Sequence, residues 1–426
     1  MQSQIIPISN GAEGIFIKNG RFNTTLISCN FYQPLRRDTE ADFALLPFIL
    51  TSCSKKYPDF SLLNYKLNRL YGARLDASTE KYGDYQLLRM TVSVINDRFT
   101  LDSECLISQA IQLLLGLVFE PNVDDGAFLA EDVAREKRKA IEHIKSEYSE
   151  KRIYAKNRLT EKMYEGKAYG IPKCRSVADV EKITGESLFK AWQQMLKTAF
   201  IRIHVVGAAA PAGLFDEISQ RFEGIERSGV ISALESQPTF ALDEARYFTD
   251  YMDVSQGKLV MGFSSDIYGN DEETLALLVA NDIFGGGPYS RLFANVREKM
   301  SLCYYCAASA VRQKGLVTVE SGVETENAEK AEKEILNQLE IIKKGEFSDF
   351  EFNSSIKSIC DSFNTYNDSQ NLLDMWYAVK VNNSRLYTPS ELAQKVAEVT
   401  REDVISAAKG ITLNTVYKLL PKEAKK

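Results

Sequence analysis

Histidine is the scarcest chemically versatile residue in this chain of 426 residues, occurring only as His143 and His204. A metal site built from several imidazoles therefore cannot form, and any Ser-His-Asp or Cys-His catalytic group must use one of these two. His204 lies in the apolar run 201–206, where we predict a buried strand and a structural role. His143 follows Glu142 on a predicted helix, where we expect a solvated or hydrogen-bonded side chain.

The chain also lacks the features that direct a protein to a membrane, to nucleic acid or out of the cell. No stretch reaches the roughly 18 uninterrupted apolar residues that span a bilayer, and residues 1–11 lack the basic and apolar regions of a secretory signal. The formal net charge of −6 gives no reason to expect nucleic acid or an anionic membrane as partner. The seven scattered cysteines favour reduced thiols. We therefore expect a cytoplasmic protein.

The predicted elements follow a similar order in the two halves of the chain. The first half is predicted to contain strands, helices at about 40–52 and 61–71, a hairpin, long helices and the strand at 201–206. After a stretch rich in turn residues at 227–239, the second half is predicted to contain strands at 245–254 and 258–264, helices at 272–284 and 289–299, a hairpin of 302–310 with 316–323, helices at 327–344 and 348–381, and a strand at 412–419. This repetition predicts a duplicated α+β fold, with domains at 1–226 and 240–426.

Several stretches resemble the insulinase/pitrilysin family of zinc peptidases, which are inverzincins. The stretches are 59–79 (DFSLLNYKLNRLYGARLDAST), 135–144 (REKRKAIEHI), 169–172 (YGIP) and, most specifically, 288–305 (PYSRLFANVREKMSLCYY). Together they extend the resemblance over nearly the whole chain. The resemblance implies two homologous domains, each a mostly antiparallel sheet packed with helices, arranged as one half of a clamshell.

The zinc-binding motif of this family is degenerate here. Active members carry H-x-x-E-H on the first helix, where the histidines bind zinc and the glutamate activates the zinc-bound water. In this sequence the motif falls on residues 44–48, Ala-Leu-Leu-Pro-Phe. Ala44 and Phe48 offer no donor atom to a metal, and Pro47 cannot act as a base.

The third zinc ligand of the family is also replaced. That ligand is a glutamate seven residues after another glutamate on a later helix. Glu136 corresponds to the earlier glutamate, which places His143 at the ligand position. One imidazole cannot hold zinc tightly without further protein ligands. We therefore expect no zinc, no other cofactor and no autonomous peptidase activity.

The second part of the family's machinery is present. In active members an arginine and a tyrosine seven residues apart hold the substrate and stabilise the oxyanion, and Arg297 and Tyr304 have this spacing. Arginine is a permanent charged donor, and a tyrosine hydroxyl adds a second donor. We expect Arg297 near the end of a helix and Tyr304 on the following strand. The structural alternative is that Arg297 caps its helix and Tyr304 packs on the sheet.

The resemblance implies a division of labour, because in some members one chain bears H-x-x-E-H and a partner lacking it bears the Arg/Tyr pair. This chain fits the second role, as the non-catalytic subunit of a heterodimer that binds a peptide or an unfolded protein segment. The alternative is a structural or peptide-binding member that scaffolds a complex without assisting hydrolysis. Within the family, the chain is similar to bacterial proteins associated with 5-aminopentanol modification of elongation factor P.

Two further motifs have structural explanations. The run Gly285-Gly286-Gly287-Pro288 lacks the lysine and spacing of a phosphate loop, so we predict a turn between two helices. Cys303 and Cys306 form a C-x-x-C motif within a strand pattern, and the sequence has no second such pair. We interpret them as two half-buried thiols.

Overall fold

The computed structural model describes residues 4–422 apart from 173–175, 232–233, 270 and 384. The strands of this part of the chain are β1 (Gln4–Ser9), β2 (Ala12–Lys18), β3 (Thr24–Pro34), β4 (Arg74–Tyr82), β5 (Tyr85–Ile95), β6 (Val123–Asp124), β7 (Ala127–Phe128), β8 (Phe200–Gly207), β9 (Arg246–Met252), β10 (Gly257–Ser264), β11 (Cys303–Val311), β12 (Leu316–Val323) and β13 (Thr412–Pro421).

The α-helices of the same part are α1 (Glu40–Leu50), α2 (Phe60–Arg69), α3 (Leu106–Phe119), α4 (Ala130–Ser149), α5 (Lys151–Met163), α6 (Val177–Glu181), α7 (Gly185–Thr198), α8 (Leu214–Gln220), α9 (Leu275–Gly285), α10 (Ala328–Lys343), α11 (Asp349–Thr365), α12 (Gln370–Ala378), α13 (Pro389–Ala397) and α14 (Arg401–Lys409). A π-helix covers Leu292–Lys299. Strands and helices alternate in irregular groups, which confirms the predicted α+β class.

Two sheets organise the described chain, and both are mostly antiparallel. The first has the order β1-β2-β8-β3-β5-β4, with β2 and β8 parallel. The second has the order β11-β12-β10-β13-β9, with β13 and β9 parallel. Strand β12 is buried along its whole length, although it carries polar as well as apolar residues. Its buried Glu320 pairs with Arg152 and Lys156 of α5, which lie 2.8 Å away.

The chain divides into two compact units that are not continuous in sequence. The N-terminal unit comprises Met1–Lys145, Ile171–Glu235 and Asn367–Asn382, and the C-terminal unit comprises Ser146–Gly170, Ser236–Tyr366 and Asn383–Lys426. One change of unit, after Glu235, lies within the stretch rich in turn residues at 227–239. The sequence did not indicate that each half contributes a segment to the other unit.

Helix α12 joins the N-terminal unit through a buried carboxylate. Asp374 is fully buried and pairs with Arg89 of β5, whose Nη2 lies 2.6 Å from Oδ2. The hydroxyl of Ser28 donates to Asp374 Oδ1 at 2.7 Å, and Nδ1 of His204 lies 2.8 Å from the same oxygen. Helix α12 is therefore fixed to three strands of the sheet, and His204 lies in the buried strand that the sequence predicted.

Helix α5 makes the corresponding contribution to the C-terminal unit. Ala155 and Leu159 are buried against Val260 of β10 and Tyr417 of β13. Gly262 of β10 lets the helix approach closely, because a Cβ there would lie 2.6 Å from the sulfur of Met163.

The helix predicted at 348–381 is two helices. Helix α11 ends at Thr365, a 3₁₀ turn covers Tyr366–Asp368, and α12 begins after Ser369, whose side chain accepts a hydrogen bond from the Leu372 amide. A serine at this position favours the start of a new helix over continuation of the previous one, because its hydroxyl accepts a hydrogen bond from a backbone N–H in the first turn. The break also marks the point where the chain passes from one unit to the other.

No helix among the described residues is long and apolar enough to cross a membrane.

Candidate functional site

The degenerate zinc motif lies on α1, which is packed firmly in the N-terminal unit. Leu45, Leu46 and Ile49 are buried in the core. The amide of Gln86 donates to the Glu40 carbonyl at 2.9 Å, and the Thr79 hydroxyl donates to the Ala44 carbonyl at 3.2 Å. These bonds attach the helix to strands β5 and β4 and fix the direction of the motif residues.

Pro47 replaces the general base within this helix. It is buried and has no N–H, so it cannot donate to the carbonyl of Phe43 one turn earlier. Its own carbonyl accepts from the amide and the hydroxyl of Thr51, at 3.1 and 2.8 Å. The residue therefore has a structural place at the helix end and no acid–base capacity.

Ala44, Phe48, Glu136 and His143 line one pocket, with a volume of about 350 Å³. The other lining residues are mostly apolar or aliphatic and come from α1, β4, α4 and the α6 region: Ala41, Leu45, Ser78, Thr79, Lys139, Ala140, Val180 and Ile183. Glu136 and His143 share a face of α4, because seven residues make about two helical turns. The motif positions that the sequence singled out are thus brought together, with the exception of Pro47, which does not line the pocket.

The charges in this pocket do not suit a zinc ion. Glu136 is only 3 % exposed, and its Oε1 lies 3.0 Å from both Arg135 Nε and Lys139 Nζ. Two cationic side chains therefore already compensate its carboxylate. His143 is exposed on the same helix face. The donor set does not fit zinc, because the residues at the two principal ligand positions have no donor atoms.

The described residues contain no group of three or more His, Cys, Asp or Glu side chains that could hold a metal ion. The lining of the pocket is instead suited to apolar groups, with the charged pair Glu136 and Lys139 among its lining residues.

The Arg/Tyr segment in the C-terminal unit begins with a close approach between helix α9 and strand β11. A Cβ on Gly285 would lie 2.5 Å from the backbone nitrogen of Ala308. Glycine at this position therefore lets the helix end against the strand. The run Gly285–Pro288 connects the two helices as predicted. Its first glycine is required by the close packing of α9 against β11.

Arg297 lies on the π-helix Leu292–Lys299, where the sequence predicted a helix. π-Helical segments are rare and often occur at functional sites. The Arg297 guanidinium stacks on the ring of Phe293, 4.5 Å from its centre, and Nε lies 3.4 Å from the Glu298 carboxylate. Its side chain is 40 % exposed. The stacking orients the arginine while leaving part of its fork of donors accessible.

Tyr304 is the extra residue of a β-bulge on β11. Cys303 pairs with Val323 and Tyr305 pairs with Gly322, so Tyr304 has no partner in the register. Its side chain is 61 % exposed, and its hydroxyl donates to the Glu324 carboxylate at 2.9 Å. This hydrogen bond raises the pKa of Tyr304, so the hydroxyl keeps its proton at neutral pH.

The sequence located the Arg/Tyr pair but missed three features around it. These are the π-helix, the bulge and the carboxylate of Glu324. Ser301, between the two residues, has a φ of 50°, which is uncommon outside glycine. Arg297 and Tyr304 engage different neighbours and do not hydrogen-bond to each other. The seven-residue spacing was the available signal, and nothing in it indicated the backbone irregularity.

The sequence of this chain is similar to those of known proteins. A family profile described as "Peptidase M16 inactive domain" matches residues 182–359. A protein of Bacillus subtilis (strain 168) described as "Probable inactive metalloprotease YmfF" is 30% identical over 408 residues, covering 96% of this chain and 95% of that protein.

Two solved structures superpose on this chain over its full length. A conserved protein from Enterococcus faecalis V583 superposes with a TM-score of 0.91 at 25% identity, covering 100% of both chains. A peptidase M16 inactive domain from Pseudomonas fluorescens superposes with a TM-score of 0.80 at 17% identity, also covering 100% of both chains, and shows the same fold. The family predicted from the sequence is confirmed: the chain belongs to the M16, or insulinase/pitrilysin, peptidase family and is homologous to its inactive members.

Proposed function

We propose that this chain is the non-catalytic, substrate-binding subunit of a heterodimeric zinc metallopeptidase. In this proposal a partner that bears H-x-x-E-H supplies the zinc and the general base. Arg297 and Tyr304 of this chain bind the peptide backbone and stabilise the oxyanion at the partner's zinc site. The observation that carries the proposal is the contrast between donor-less zinc-motif positions and an accessible Arg/Tyr pair on an irregular backbone.

The surroundings of the pair support a ligand-binding role. Residues that only stabilise the fold can be buried in ion pairs or among aromatic rings. Tyr304, however, is 61 % exposed, and the side chain of Arg297 is 40 % exposed. Bulges and π-helices cost backbone pairing and re-aim side chains. A guanidinium and a hydroxyl that both donate to the developing oxyanion would stabilise the transition state, because the negative charge forms there.

The pocket in the N-terminal unit supports peptide binding. It is bordered by Ser78 and Thr79 of β4, which is the terminal strand of the six-stranded sheet. A terminal strand can pair with an extended peptide, and a pocket beside it can take a side chain of that peptide. The replacement of histidine by Ala44 and Phe48 makes this pocket a receptor for apolar side chains instead of a metal site.

A second candidate is a scaffold or peptide-binding member that does not assist hydrolysis. The apolar pocket favours it, because this pocket binds peptide equally well whether or not a partner cleaves it. The two proposals differ in one respect: only the first requires Arg297 and Tyr304 for turnover.

The first test is the identity of the partner. The tagged full chain is purified from its native cells, and the proteins that co-elute are identified by mass spectrometry. A stoichiometric protein with H-x-x-E-H is expected. A chain that elutes alone or as a homodimer would favour the scaffold.

The second test uses the reconstituted pair. Arg297→Ala is compared with Lys299→Ala, which removes an exposed positive charge from the same π-helix, and Tyr304→Phe with Tyr251→Phe, another exposed tyrosine. Loss of an oxyanion donor lowers kcat by about 10²–10³-fold, and the controls should retain activity. Assembly is checked by size-exclusion chromatography. Unchanged peptide cleavage in both variants, with assembly intact, would overturn the catalytic role and leave the scaffold.

A link to 5-aminopentanol modification of elongation factor P stays a prediction from the resemblance. Its test is whether deletion of this chain changes the intact mass of elongation factor P.

A further inference from the structure

Strand β9 ends the five-stranded sheet and, among the described residues, pairs with β13 alone. Terminal strands present unpaired N–H and C=O groups, which natural proteins usually protect with bulges, prolines or lysines. Two other terminal strands are protected in this way: β1 has a register shift after Pro7, and β11 has the bulge at Tyr304. The register of β9 against β13 is regular, and its sequence RYFTDYM contains neither proline nor lysine. The free edge of β9 is therefore open to another strand.

The backbone groups at this free edge belong to Tyr247, Thr249 and Tyr251. The amide of Lys422 donates to the Met252 carbonyl at 2.9 Å, so the backbone of Met252 faces β13. Successive residues of a strand direct their N–H and C=O groups to opposite sides. The three alternate residues therefore direct both groups outward, and they are also the exposed residues of the strand.

The sequence of β9 is self-complementary in an antiparallel pairing. When Phe248 lies opposite its own copy on a two-fold axis, Arg246 of each copy lies opposite Asp250 of the other. Tyr247 of each copy then lies opposite Thr249 of the other. Opposite charges, two aromatic rings, and an aromatic ring beside a β-branched residue are cross-strand pairs that stabilise antiparallel strands.

The backbone hydrogen bonds also suit this register. Tyr247 and Thr249 carry outward N–H and C=O groups, so the two copies exchange four N–H···O=C bonds at these positions. With Thr249 on the axis instead, Phe248 would lie opposite Asp250, which places an apolar ring against a carboxylate. The complementarity of charge and side-chain type therefore selects Phe248 as the residue on the axis.

Both charged residues of β9 are held in place by bonds within the chain. Nη2 of Arg246 donates to the Met163 carbonyl at 2.7 Å. The hydroxyl of Tyr417 donates to Oδ2 of Asp250 at 2.9 Å, and the Asp250 side chain is 41% exposed. The two charges are thus fixed near the free edge, where a second copy would meet them.

We propose that the free edge of β9 is the contact surface of a homodimer, in which two copies of β9 pair antiparallel about a two-fold axis at Phe248. The two five-stranded sheets then form one continuous sheet of ten strands. The contact is isologous, so it closes at two copies and leaves neither edge of β9 free. A contact made by one strand is small, so the dimer is weak and reversible.

The dimer does not depend on the proposed function. Tyr304 lies on β11, at the other end of the same sheet, four strand spacings or about 19 Å from β9. Pairing through β9 therefore leaves the Arg/Tyr segment accessible, and each copy can still bind a catalytic partner. Failure of the homodimer would leave the proposed function standing, and failure of the proposed function would leave the homodimer standing.

Sedimentation velocity of the purified full chain over a concentration series tests the dimer. A species with twice the mass of one chain is expected to grow with concentration. Thr249→Pro removes an outward N–H, which a terminal strand tolerates. It should weaken the dimer by roughly tenfold or more, because two symmetry-related hydrogen bonds are lost.

Thr249→Ala is the matched control, because it changes the side chain and keeps the N–H. It should dimerise almost as well as the unmodified chain, and circular dichroism checks that both variants are folded. A chain that stays monomeric at every concentration, or a dimer that Thr249→Pro leaves unchanged, would overturn the proposal.

Charge exchange tests the pairing of Arg246 with Asp250. Arg246→Asp and Asp250→Arg each place like charges opposite one another in their own homodimers, so each variant alone should dimerise less than the unmodified chain. An equimolar mixture of the two variants restores unlike charges at both pairs and should dimerise again. Two folded variants that dimerise no better when mixed would contradict this register.

A disulfide cross-link tests the axis without changing either charge. Phe248→Cys places two thiols opposite one another at a non-hydrogen-bonded pair, about 4.5 Å apart between Cα atoms, which a disulfide can bridge. Mild oxidation should therefore join two chains of this variant. The unmodified chain, with its exposed Cys105, is the control for non-specific oxidation. Cross-linking of Thr249→Cys in preference to Phe248→Cys would refute the axis at Phe248.

Discussion

Two polar clusters, one in the N-terminal unit and one in the C-terminal unit, lie in opposite surroundings. In the N-terminal unit the carboxylate of Asp374 is buried with Arg89 and His204, and the pocket at the degenerate zinc motif is largely apolar. In the C-terminal unit Arg297 and Tyr304 are exposed on a π-helix and a bulge.

The difference separates groups that hold the fold from groups that are available to a ligand. Buried charges are satisfied by one another, so their loss should lower stability. Exposed donors on irregular backbone contribute little packing, so their loss should lower binding or turnover and leave stability unchanged. Each prediction below tests one side of this contrast.

The largest expected effect is the return of zinc to the N-terminal pocket. The combined change Ala44→His, Phe48→His and His143→Glu restores three protein ligands at positions that line one pocket, and Pro47→Glu restores the base on the same helix as the two histidines. The variant should retain stoichiometric zinc after dialysis, as measured by elemental analysis. The same variant with Ala44 left in place supplies only two ligands and should lose its metal. A folded variant without zinc would show that the assigned positions do not converge as proposed.

Removing the buried carboxylate should produce the largest loss of stability. Asp374→Asn leaves Arg89 as an uncompensated buried cation, which costs about 3–5 kcal/mol. Urea unfolding followed by tryptophan fluorescence measures it directly, because Trp192 and Trp376 both belong to the N-terminal unit.

The matched control for this change is Asp368→Asn. The Arg21–Asp368 pair spans 3.4 Å, and its side chains are 73% and 69% exposed. An exposed pair of this kind contributes about 0–1 kcal/mol. Equal losses at the two aspartates would contradict the buried-charge interpretation.

The pH dependence of the N-terminal unit should come partly from His204. Burial lowers the pKa of His204, against the opposing effect of Asp374, so the folded unit keeps this imidazole neutral. The unfolded chain binds a proton below about pH 6.5, so stability is full above that pH and falls as pH decreases, by at most about 1.4 kcal/mol per unit. His204→Gln should flatten this slope between roughly pH 7 and 5 in the fluorescence-monitored unfolding. An unchanged slope would assign it to other groups.

At lower pH the carboxylate itself should titrate. Burial opposes the ionisation of Asp374, but the Arg89 charge and the hydrogen bonds from His204 and Ser28 together lower its pKa to about 2. The stabilisation that the Asp374 carboxylate contributes is therefore fully present above about pH 4. It is lost as the pH falls from about 4 toward about 2. In Asp374→Asn this acid limb of the stability curve should be missing.

The smallest expected effect is on the stability of the C-terminal unit. Arg297→Ala and Tyr304→Phe should each change the free energy of unfolding by less than about 0.5 kcal/mol. Circular dichroism is the readout, since both tryptophans lie in the other unit. A loss of about 2 kcal/mol would favour the structural alternative, in which Arg297 caps its helix and Tyr304 packs on the sheet.

The sequence predicted those parts of the molecule that depend on local pattern. The apolar run 201–206 indicated the buried strand around His204. The missing donor atoms at Ala44 and Phe48 are the reason why no zinc site is expected there. The bulge at Tyr304 depends on the register of β11 against β12, which the sequence of one strand does not specify. The π-helix was predicted as a helix, but no local signal distinguished it from an α-helix.

The exchange of segments between units was also beyond the sequence. Residues 348–381 carry a continuous helical pattern, and only Ser369 marks the start of a new helix. What assigns α12 to the other unit is its contact with Arg89, Ser28 and His204, which lie far away in the chain.

This exchange has a consequence for synthesis on the ribosome. The N-terminal unit lacks Asn367–Asn382 until most of the chain has been made. At about 5–20 residues per second, the wait after Glu235 is on the order of ten seconds. During that time Arg89 and His204 have no Asp374, so we expect this face of the nascent sheet to stay hydrated. A segment in the last third of the chain should thus decide when the first half becomes native, and a shortened product ending before α12 should be left for chaperones or proteases to remove.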